Sequence, residues 1–556
     1  NRENTRYANE GGWFESDKVR FRQGTPEKIG GWSRISVSYF VGVCRSLWNW
    51  ITLENFNLLG VGTNLKFYLE NGGQYYNITP IRSAVILSNP FATVNASTTV
   101  TVTDVAHGAV NGDFVTFSNV ATVGGLDLNN EYQLTLIDGD AYTITAASAA
   151  TSTATGGGTT VSAVYQINTG LAYETPLTGW GAGNWGSGTW GFGGTSTSAL
   201  RLWSQNNFGE DLIYGFRGGP IYYWDASFGL SPASFTVTIG ASAVVTASIS
   251  LSNNTAVILT NTGFPSALPT GLLVGTTYYV INTTGTTFNL SLTPGGVAIN
   301  TSGTQSGIHY IMPNGINIVS LASASDCPII QNFIFVSDIS RFVFAFGCND
   351  YSSTTQNPML IRWSDQESLV NWTPSATNQA GSVTLSHGSS IITSIQTRQE
   401  ILVWTDSAIY SLQYLGPPVV WSSQLMGDNI SILGQNAAAQ ASGVVYWMGV
   451  DKFYSYDGRL QTLNCDLRRF IYQDINLDQD QQVFAGTNEG FNEVWWFYCS
   501  SSSITVDRYV IYNYVEKVWY YGTMARTAWI DSGLLDFPVA ATYTYNLVNQ
   551  EYGLDN

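Results

Sequence analysis

The stretch EILVWTDSAIYSLQY, residues 400–414, decides the fold class. Aromatic and β-branched residues alternate with polar ones on both sides of the turn Thr405-Asp406-Ser407, the period-two pattern of two half-buried strands joined as a hairpin. The same phrase recurs as NLLGVGTNLKFYLENGG at 57–73, DLIYGFRGGPIYYWD at 211–225 and FIFVSDISRFVFAFG at 333–347. It returns as GVVYWMGVDKFYSYDG at 443–458 and, in a longer form, as EVWWFYCSSSSITVDRYVIYN at 493–513. A hairpin repeated at intervals of tens of residues implies a propeller or a solenoid. A propeller fits better, because the segments have the size of four-stranded blades and a circle of blades protects its sheet edges. The fold expected is therefore all-β, with a β-propeller core. Helical periodicity is nearly absent, and CDLRRFIY at 465–472 is the best candidate for a short helix.

Two segments break the rhythm, at 84–162 and at 230–314. Both are rich in Thr, Ser, Val and Gly, and strand-like sequence resumes beyond each, so they are expected to be small β modules inserted into blade loops, where added length costs little. Between them, TGWGAGNWGSGTWGFGG at 178–194 spaces Trp180, Trp185 and Trp190 five apart in glycine. That spacing matches neither strand nor helix. It fits a loop that plugs its indoles into neighbouring pockets, or a surface for stacking glycans.

Charge excludes one class of function. The chain of 556 residues has 22 Lys+Arg against 39 Asp+Glu, a net −17, with only 11% charged residues. No Lys or Arg lies between Arg82 and Arg201 or between Arg217 and Arg341. A protein that grips nucleic acid by neutralising phosphates needs basic residues in number. Abundant aromatic residues, 31 Tyr, 26 Phe and 18 Trp, argue against disorder. The five cysteines are scattered, with no CxxC pair, and read as buried free thiols of a protein folded in a reducing compartment. No apolar run is long enough to span a bilayer. The chain starts at Asn1 without Met and stops at Asn556, so further residues are expected at either end.

No catalytic constellation stands out in the sequence. His107, in AHGAVNGD at 106–113, is expected to be a solvent-exposed turn imidazole. His309 and His387 are too distant in sequence to complete a metal set or a triad with it, and His387, beside Ser386 and Ser389, has no GxSxG elbow. The carboxylates Asp365, Glu367, Asp428, Asp451, Asp457 and Glu493 are the candidates for glycosidase acids. The pair in WSDQES reads instead as a turn that caps a blade, similar to an Asp-box without its glycine spacing. Glycine patterns such as GVG at 60–62 lack a following helix or lysine, so nucleotide binding is not expected. No catalytic, metal or cofactor residue is assigned. Lys18, Arg20, Arg22 and Lys28 stand beside Glu15, Asp17 and Glu27, with both arginines on one strand face, and are expected to form a salt-bridge strip at an interface between domains or subunits.

Six phrases carry a family resemblance: GGWFESDKVRFRQGTPEKIGGW (11–32), LRLWSQNNFGEDLIYGFRGGPIYYWD (200–225), IRWSDQESLVNWTP (361–374), RQEILVWTDSAIYSLQYLGPP (398–418), GVVYWMGVDKFYSYDGRLQTLNCDLRRFIYQDIN (443–476) and NEVWWFYCSSSSITVDRYVIYNYVEKVWYYGTMARTAWID (492–531). In this order they resemble the tail nozzle or tail hub proteins of short-tailed bacteriophages, a family that includes head-completion proteins which stabilise packaged DNA. The segment VTVTDVAHGAVNGDFVTF (100–117) is similar to β modules that decorate phage structural proteins.

The resemblance implies a structural virion protein and no enzyme. It would be one subunit of a homo-oligomeric ring, a hexamer, set below the portal and its adaptor, contacting tail fibres or spikes and passing genomic DNA without specific grip. Assembly in the host cytoplasm, a place in the virion tail and no membrane insertion follow from the same likeness. The alternatives are a glycan-binding receptor-recognition propeller and a glycan-degrading tail enzyme. The chain is expected to divide into 1–83, the N-terminal segment and the start of the propeller; 84–162, the first insert; 163–229, propeller with the Trp/Gly loop; 230–314, the second insert; and 315–556, the remaining blades.

Overall fold

The computed structural model describes residues 15–175, 178–179, 194–195 and 199–553. The chain is almost entirely β, built of many small antiparallel sheets and one closed six-stranded barrel. Seven of the four-stranded sheets repeat one plan, in which each strand pairs with the next in an antiparallel meander.

Sheet I comprises Cys44–Ile51, Asn57–Thr63, Phe67–Asn71 and Gln74–Asn77. Sheet II comprises Trp203–Phe208, Asp211–Phe216, Ile221–Trp224 and Ile316–Asn317. Sheet III comprises Phe333–Val336, Val343–Phe346, Leu360–Trp363 and Gly381–Thr384, and sheet IV Ile391–Gln396, Ile401–Thr405, Ala408–Gly416 and Val420–Asp428. Sheet V holds Ala438–Ala441, Val444–Met448, Phe453–Tyr456 and Leu460–Leu463, and sheet VI Phe484–Asn488, Glu493–Tyr498, Arg508–Asn513 and Val518–Thr523. Sheet VII takes Ala528–Ile530, Val539–Ala541 and Leu547–Gln550 from the C-terminal part and Trp32–Arg34 from the N-terminal part, with Trp32 opposite Gln550.

Each sheet packs face to face on its successor, and the seventh packs on the first. Trp50 and Phe67 of sheet I share a core with Trp203 and Tyr214 of sheet II, and Ile213 of sheet II shares another with Ile334 of sheet III. Phe344 of sheet III meets Val403 of sheet IV, while Trp404, Trp447 and Trp496 join sheets IV, V and VI. Trp495 and Trp529 join sheets VI and VII, and Val539 and Leu547 of sheet VII close the circle on Leu59 and Val61 of sheet I. This explains strands that read as unbroken apolar runs. In EVWWFY, Val494, Trp496 and Tyr498 face sheet V while Trp495 and Phe497 face sheet VII, so both faces are dry.

Glycines let the faces approach. A Cβ on Gly62 would lie 2.8 Å from Cγ of Trp203, and one on Gly486 would lie 2.3 Å from Cδ1 of Trp529. Five of the six hairpin phrases form the second and third strands of a sheet, and the phrase at 333–347 forms the first and second strands of sheet III.

The first insert is two sheets sharing one core. Ile81–Leu87 enters beside the exit strand Val161–Gln166, with Ile81 opposite Gln166, so the paired stretch starts just outside 84–162. Val100, Phe117, Tyr142 and Tyr165 fill the space between the sheets. The second insert is the closed barrel, whose strands succeed one another around it as Ala233–Val237, Val244–Ala247, Thr287–Ser291, Thr277–Thr284, Ala256–Ala267 and Ser306–Met312. It leaves after the third strand of sheet II, and the chain returns as the fourth. The inserts also touch one another, the Ser266 N–H donating to Oδ1 of Asn119 at 3.2 Å. The helix is Arg468–Asp474, shifted toward the C-terminus from 465–472.

Candidate functional site

The first strand of each of the seven sheets is a sheet edge, and residues of all seven line one cavity of about 420 Å³. An edge offers alternating N–H and C=O groups, so such a wall is polar without bearing net charge. The side chains are mixed: Gln205, Asn206, Gln396 and Gln440 present amides and Ser394 a hydroxyl, among apolar Leu47, Phe335 and Ile395. Among the described lining residues, Arg45 and Asp338 alone carry charge. Burial pushes the Asp338 carboxyl up.

Two segments meet at Arg45, which stands on the cavity wall. A strap, 168–175, returns from the first insert, and a bar of 3-10 helix, Leu477–Gln482, links sheets V and VI. Arg45, on the cavity wall, donates through Nη2 to the Ala172 carbonyl at 2.8 Å and to Oε1 of Gln482 at 2.6 Å. The Glu174 N–H donates to Oε1 of Gln479 at 3.1 Å, and Nε2 of Gln479 donates back to the Glu174 carbonyl at 2.9 Å. The Gln481 N–H donates to Oε2 of Glu174 at 3.1 Å. Gln481 then spans the circle: its Oε1 accepts from Nη1 of Arg217, in sheet II's second turn, at 3.0 Å, and its Nε2 donates to the Leu433 carbonyl, ahead of sheet V, at 3.2 Å. This amide therefore links sheet II to the segment ahead of sheet V, which is not its neighbour in the circle.

The local sequence suits the task. Asn476 caps the bar by accepting from the Asp478 N–H at 3.0 Å, and the buried amides of Gln479 and Gln482 supply donors and acceptors that short carboxylates could not. Burial and the neighbouring Asp480 push the Glu174 carboxyl up to about 7, and burial also raises Asp480. Arg217 is pushed down by burial. In sequence, LDQDQQ reads only as a polar linker, because nothing local marks an amide that bonds across a gap of 48 or 264 residues.

The sequence-derived candidates fall elsewhere. Arg20 is buried, its guanidinium paired with Glu493 and Glu551 and lying 3.5 Å from the Phe491 ring centroid. Arg22, two residues along the same strand, sits over the same ring at 5.7 Å but is exposed, 3.9 Å from Glu27. Lys18 pairs with Asp17 at 2.9 Å, and Lys28 pairs in register with Val19. The hairpin that carries all four is packed on sheet VI of its own chain, with the Lys18 N–H donating to the Tyr509 hydroxyl at 3.0 Å. Trp180, Trp185 and Trp190 lie outside the described residues.

Asp365 makes a turn, its Oδ1 accepting from the Gln366 and Gln379 N–H groups at 2.9 and 2.8 Å, while Glu367 has φ +57° and stands 3.8 Å from Arg341. Asp428 accepts from its neighbour Asn429 at 2.8 Å, Asp451 faces Arg468 at 3.4 Å, and Asp457 accepts from the Arg459 N–H at 3.1 Å. None of these lines the central cavity.

The expectation for His107 is corrected. It is buried, with Nδ1 accepting from the Ala109 N–H at 3.0 Å and Nε2 reaching the Asp138 carbonyl at 3.1 Å. Its ring meets Tyr142 edge-on, so the turn folds inward to satisfy two backbone groups. His309 is buried in the barrel and pushed down by burial. Ser386 is 3.4 Å from its neighbour His387, whereas Ser389 donates to Asp406 at 2.6 Å, so the hydroxyls and imidazole do not form a relay. Among the described residues no cluster of three His, Cys, Asp or Glu is placed to hold a metal, and no helix is long and apolar enough to cross a membrane.

No family model and no curated protein matches the chain. Among solved structures it is similar to a chain described as "Phage phi92 endosialidase", at 10% identity over 85% of this chain and 55% of that one, with a TM-score of 0.16. The chain spans about half the length of that neighbour, and a likeness of this degree carries no argument about function.

Proposed function

We propose that the chain is a seven-bladed β-propeller that serves as a structural subunit of a ring-shaped tail nozzle or hub in a short-tailed bacteriophage, where it helps retain the packaged genome and conduct it during ejection. The observation that carries this reading is the placement of the six resembling phrases. They fall in chain order on the N-terminal hairpin and on sheets II to VII, outside the two inserts. The blades are sheets I to VII, and Trp32–Arg34 is the clasp that joins the chain's two ends in one sheet.

The passage for DNA would lie between subunits and not along the axis of one propeller. A cavity of about 420 Å³ is far smaller than a duplex. A wall of net negative subunits lets a polyanion slide, because each neutralised phosphate would add affinity and slow its exit. Partners in this role are other copies of the chain, six in a ring, with a portal-side adaptor above and fibres or spikes around.

Native mass measurement and negative-stain imaging test it. A ring with a central hole is expected, together with weak, sequence-independent binding to duplex DNA. A compact trimer would favour a receptor-binding spike, and submicromolar DNA affinity at physiological salt would overturn the conduit.

A further inference from the structure

The two inserts share one circular order of strands. Around the barrel, Ala233–Val237 is followed by Val244–Ala247, Thr287–Ser291, Thr277–Thr284, Ala256–Ala267 and Ser306–Met312, which pairs again with the first. In the first insert one sheet runs Phe91–Thr93, Thr99–Thr103, Ala141–Thr145, Thr135–Leu136, and the other Glu131–Gln133, Phe114–Ser118, Val161–Gln166, Ile81–Leu87. Joined through Leu134 and through Ser88-Asn89-Pro90, these sheets form the same circle. We infer that the inserts are two copies of one module, and that each copy carries the same strand-pair surface for docking on a sheet of the main circle.

Register carries the equivalence further than topology. Tyr142 lies opposite Val102, and Phe288 opposite Val245. Val115 lies opposite Tyr132, and Val257 opposite Tyr278. Ala163 stands between Phe117 and Val85, and Ile311 between Leu259 and Ala233. Matched pair by pair, the interiors coincide: Val102, Val115, Phe117, Tyr142, Ile144 and Ala163 fill one core, and Val245, Val257, Leu259, Phe288, Leu290 and Ile311 the other. Alternation alone fixes which face of a strand is dry and leaves the pairing partner open. The copies differ where the first is open. Leu87 and Phe91 are four residues apart, their counterparts Phe235 and Val237 two, so two added residues, with Asn89 at φ +48°, split the strand.

Residues that alternate with the core face outward, and there both copies meet the main circle. Phe114 and Glu131 of the first copy receive Lys66, from the turn between the second and third strands of sheet I; its Nζ lies 4.2 Å from the Phe114 ring centroid and pairs with Glu131. On the same strand pair of the second copy, Ala256, Ile258 and Tyr279 pack with Ile316 of sheet II and Leu321 beyond it, and the Tyr279 hydroxyl donates to the Ser320 carbonyl. The copies also abut, since a Cβ on Gly275 would lie 2.5 Å from that of Ala84. One module is thus seated twice, on successive sheets, and this holds whatever the chain assembles into.

A full-length chimera tests it, with 233–312 replaced by a second copy of 85–164 in which Phe114→Ala, Thr116→Ile and Gln133→Tyr restore the residues that sheet II meets. A soluble protein with one cooperative melt is expected, and hydrogen exchange over 312–321 should stay as slow as in the parent. The same graft without the three substitutions should fold and exchange faster over 312–321. A milder pair of variants decides if the chimera is insoluble: AYTIT from Ala141–Thr145 written over Thr287–Ser291 in register, and YTITA, displaced by one residue so that its large side chains leave the core. The first should keep the barrel's protection and the second lose it. Loss in both overturns the equivalence, as does a graft that stays unfolded while the seven sheets melt as in the parent. Equal exchange over 312–321 in the two grafts overturns the shared docking surface.

Discussion

The guanidinium of Arg20 lies across the carboxylate of Glu493, Nε to Oε1 at 3.0 Å and Nη2 to Oε2 at 3.2 Å, and so joins positions 473 residues apart. Glu551 occupies its other side, with Nη1 to Oε2 at 3.1 Å, and the Tyr520 hydroxyl and Trp495 indole also donate to Glu493. One cation therefore fastens the N-terminal hairpin, sheet VI and the last residues of the chain at a single buried point. Replacing it leaves two carboxylates without their counter-ion, Glu493 fully buried and Glu551 nearly so. Arg20→Met is expected to cost about 3–5 kcal/mol in denaturant unfolding. Arg22→Met, on the same strand but exposed, is expected to stay within about 0.5 kcal/mol of the parent.

The approach of sheets VI and VII depends on the missing side chain at 486. A Cβ there meets Cδ1 and Cγ of Trp529 at 2.3 and 2.7 Å, and that indole is held by its bond to the Thr487 carbonyl at 2.8 Å. Gly486→Ala should destabilise by about 1–3 kcal/mol through overpacking. Gly533→Ala, where a Cβ meets nothing within 4 Å, should leave the melting temperature near that of the parent.

The five thiols should react in two classes. Cys44, Cys327, Cys348 and Cys499 are buried, and burial pushes Cys44, Cys348 and Cys499 up to about 12 and Cys327 up to about 11. Cys465 is partly exposed. Thiol titration of the native protein is expected to label Cys465 alone, and all five after unfolding, with no bridge found by non-reducing mass analysis.

Both inserts leave and re-enter the circle through neighbouring strands. Ile81 lies opposite Gln166, and Ala233 opposite Ile311, so a short glycine linker across each pair closes the gap. Joint excision of 82–165 and 234–310 should leave a soluble protein with one cooperative melt. The melting temperature should fall, because Ile316 and Leu321 pack against barrel residues Ala256, Ile258 and Tyr279, and Lys66 pairs with Glu131 of the first insert. Insoluble product from a clean excision would show that the inserts support the core.

What the chain alone determined was local. Alternation in EILVWTDSAIYSLQY, GVVYWMGVDKFYSYDG and their relatives marks strands and their turns, because period-two burial leaves its trace within a few residues. The Thr- and Val-rich stretches at 84–162 and 230–314 stand out as modules for the same reason. The placement of Arg20 and Arg22 on one face was legible too, though not that one is buried and the other exposed. Tertiary structure alone decided the number of sheets and the closure of the circle, since Trp32 finds Gln550 only when all the intervening sheets have packed. It also decided that His107 turns inward and that Gln481 bridges sheet II to the segment before sheet V. A periodic pattern records which face of a strand is dry. It carries no record of which distant surface dries it, and a polar residue that bonds across hundreds of positions has the same neighbours in sequence as one that faces water.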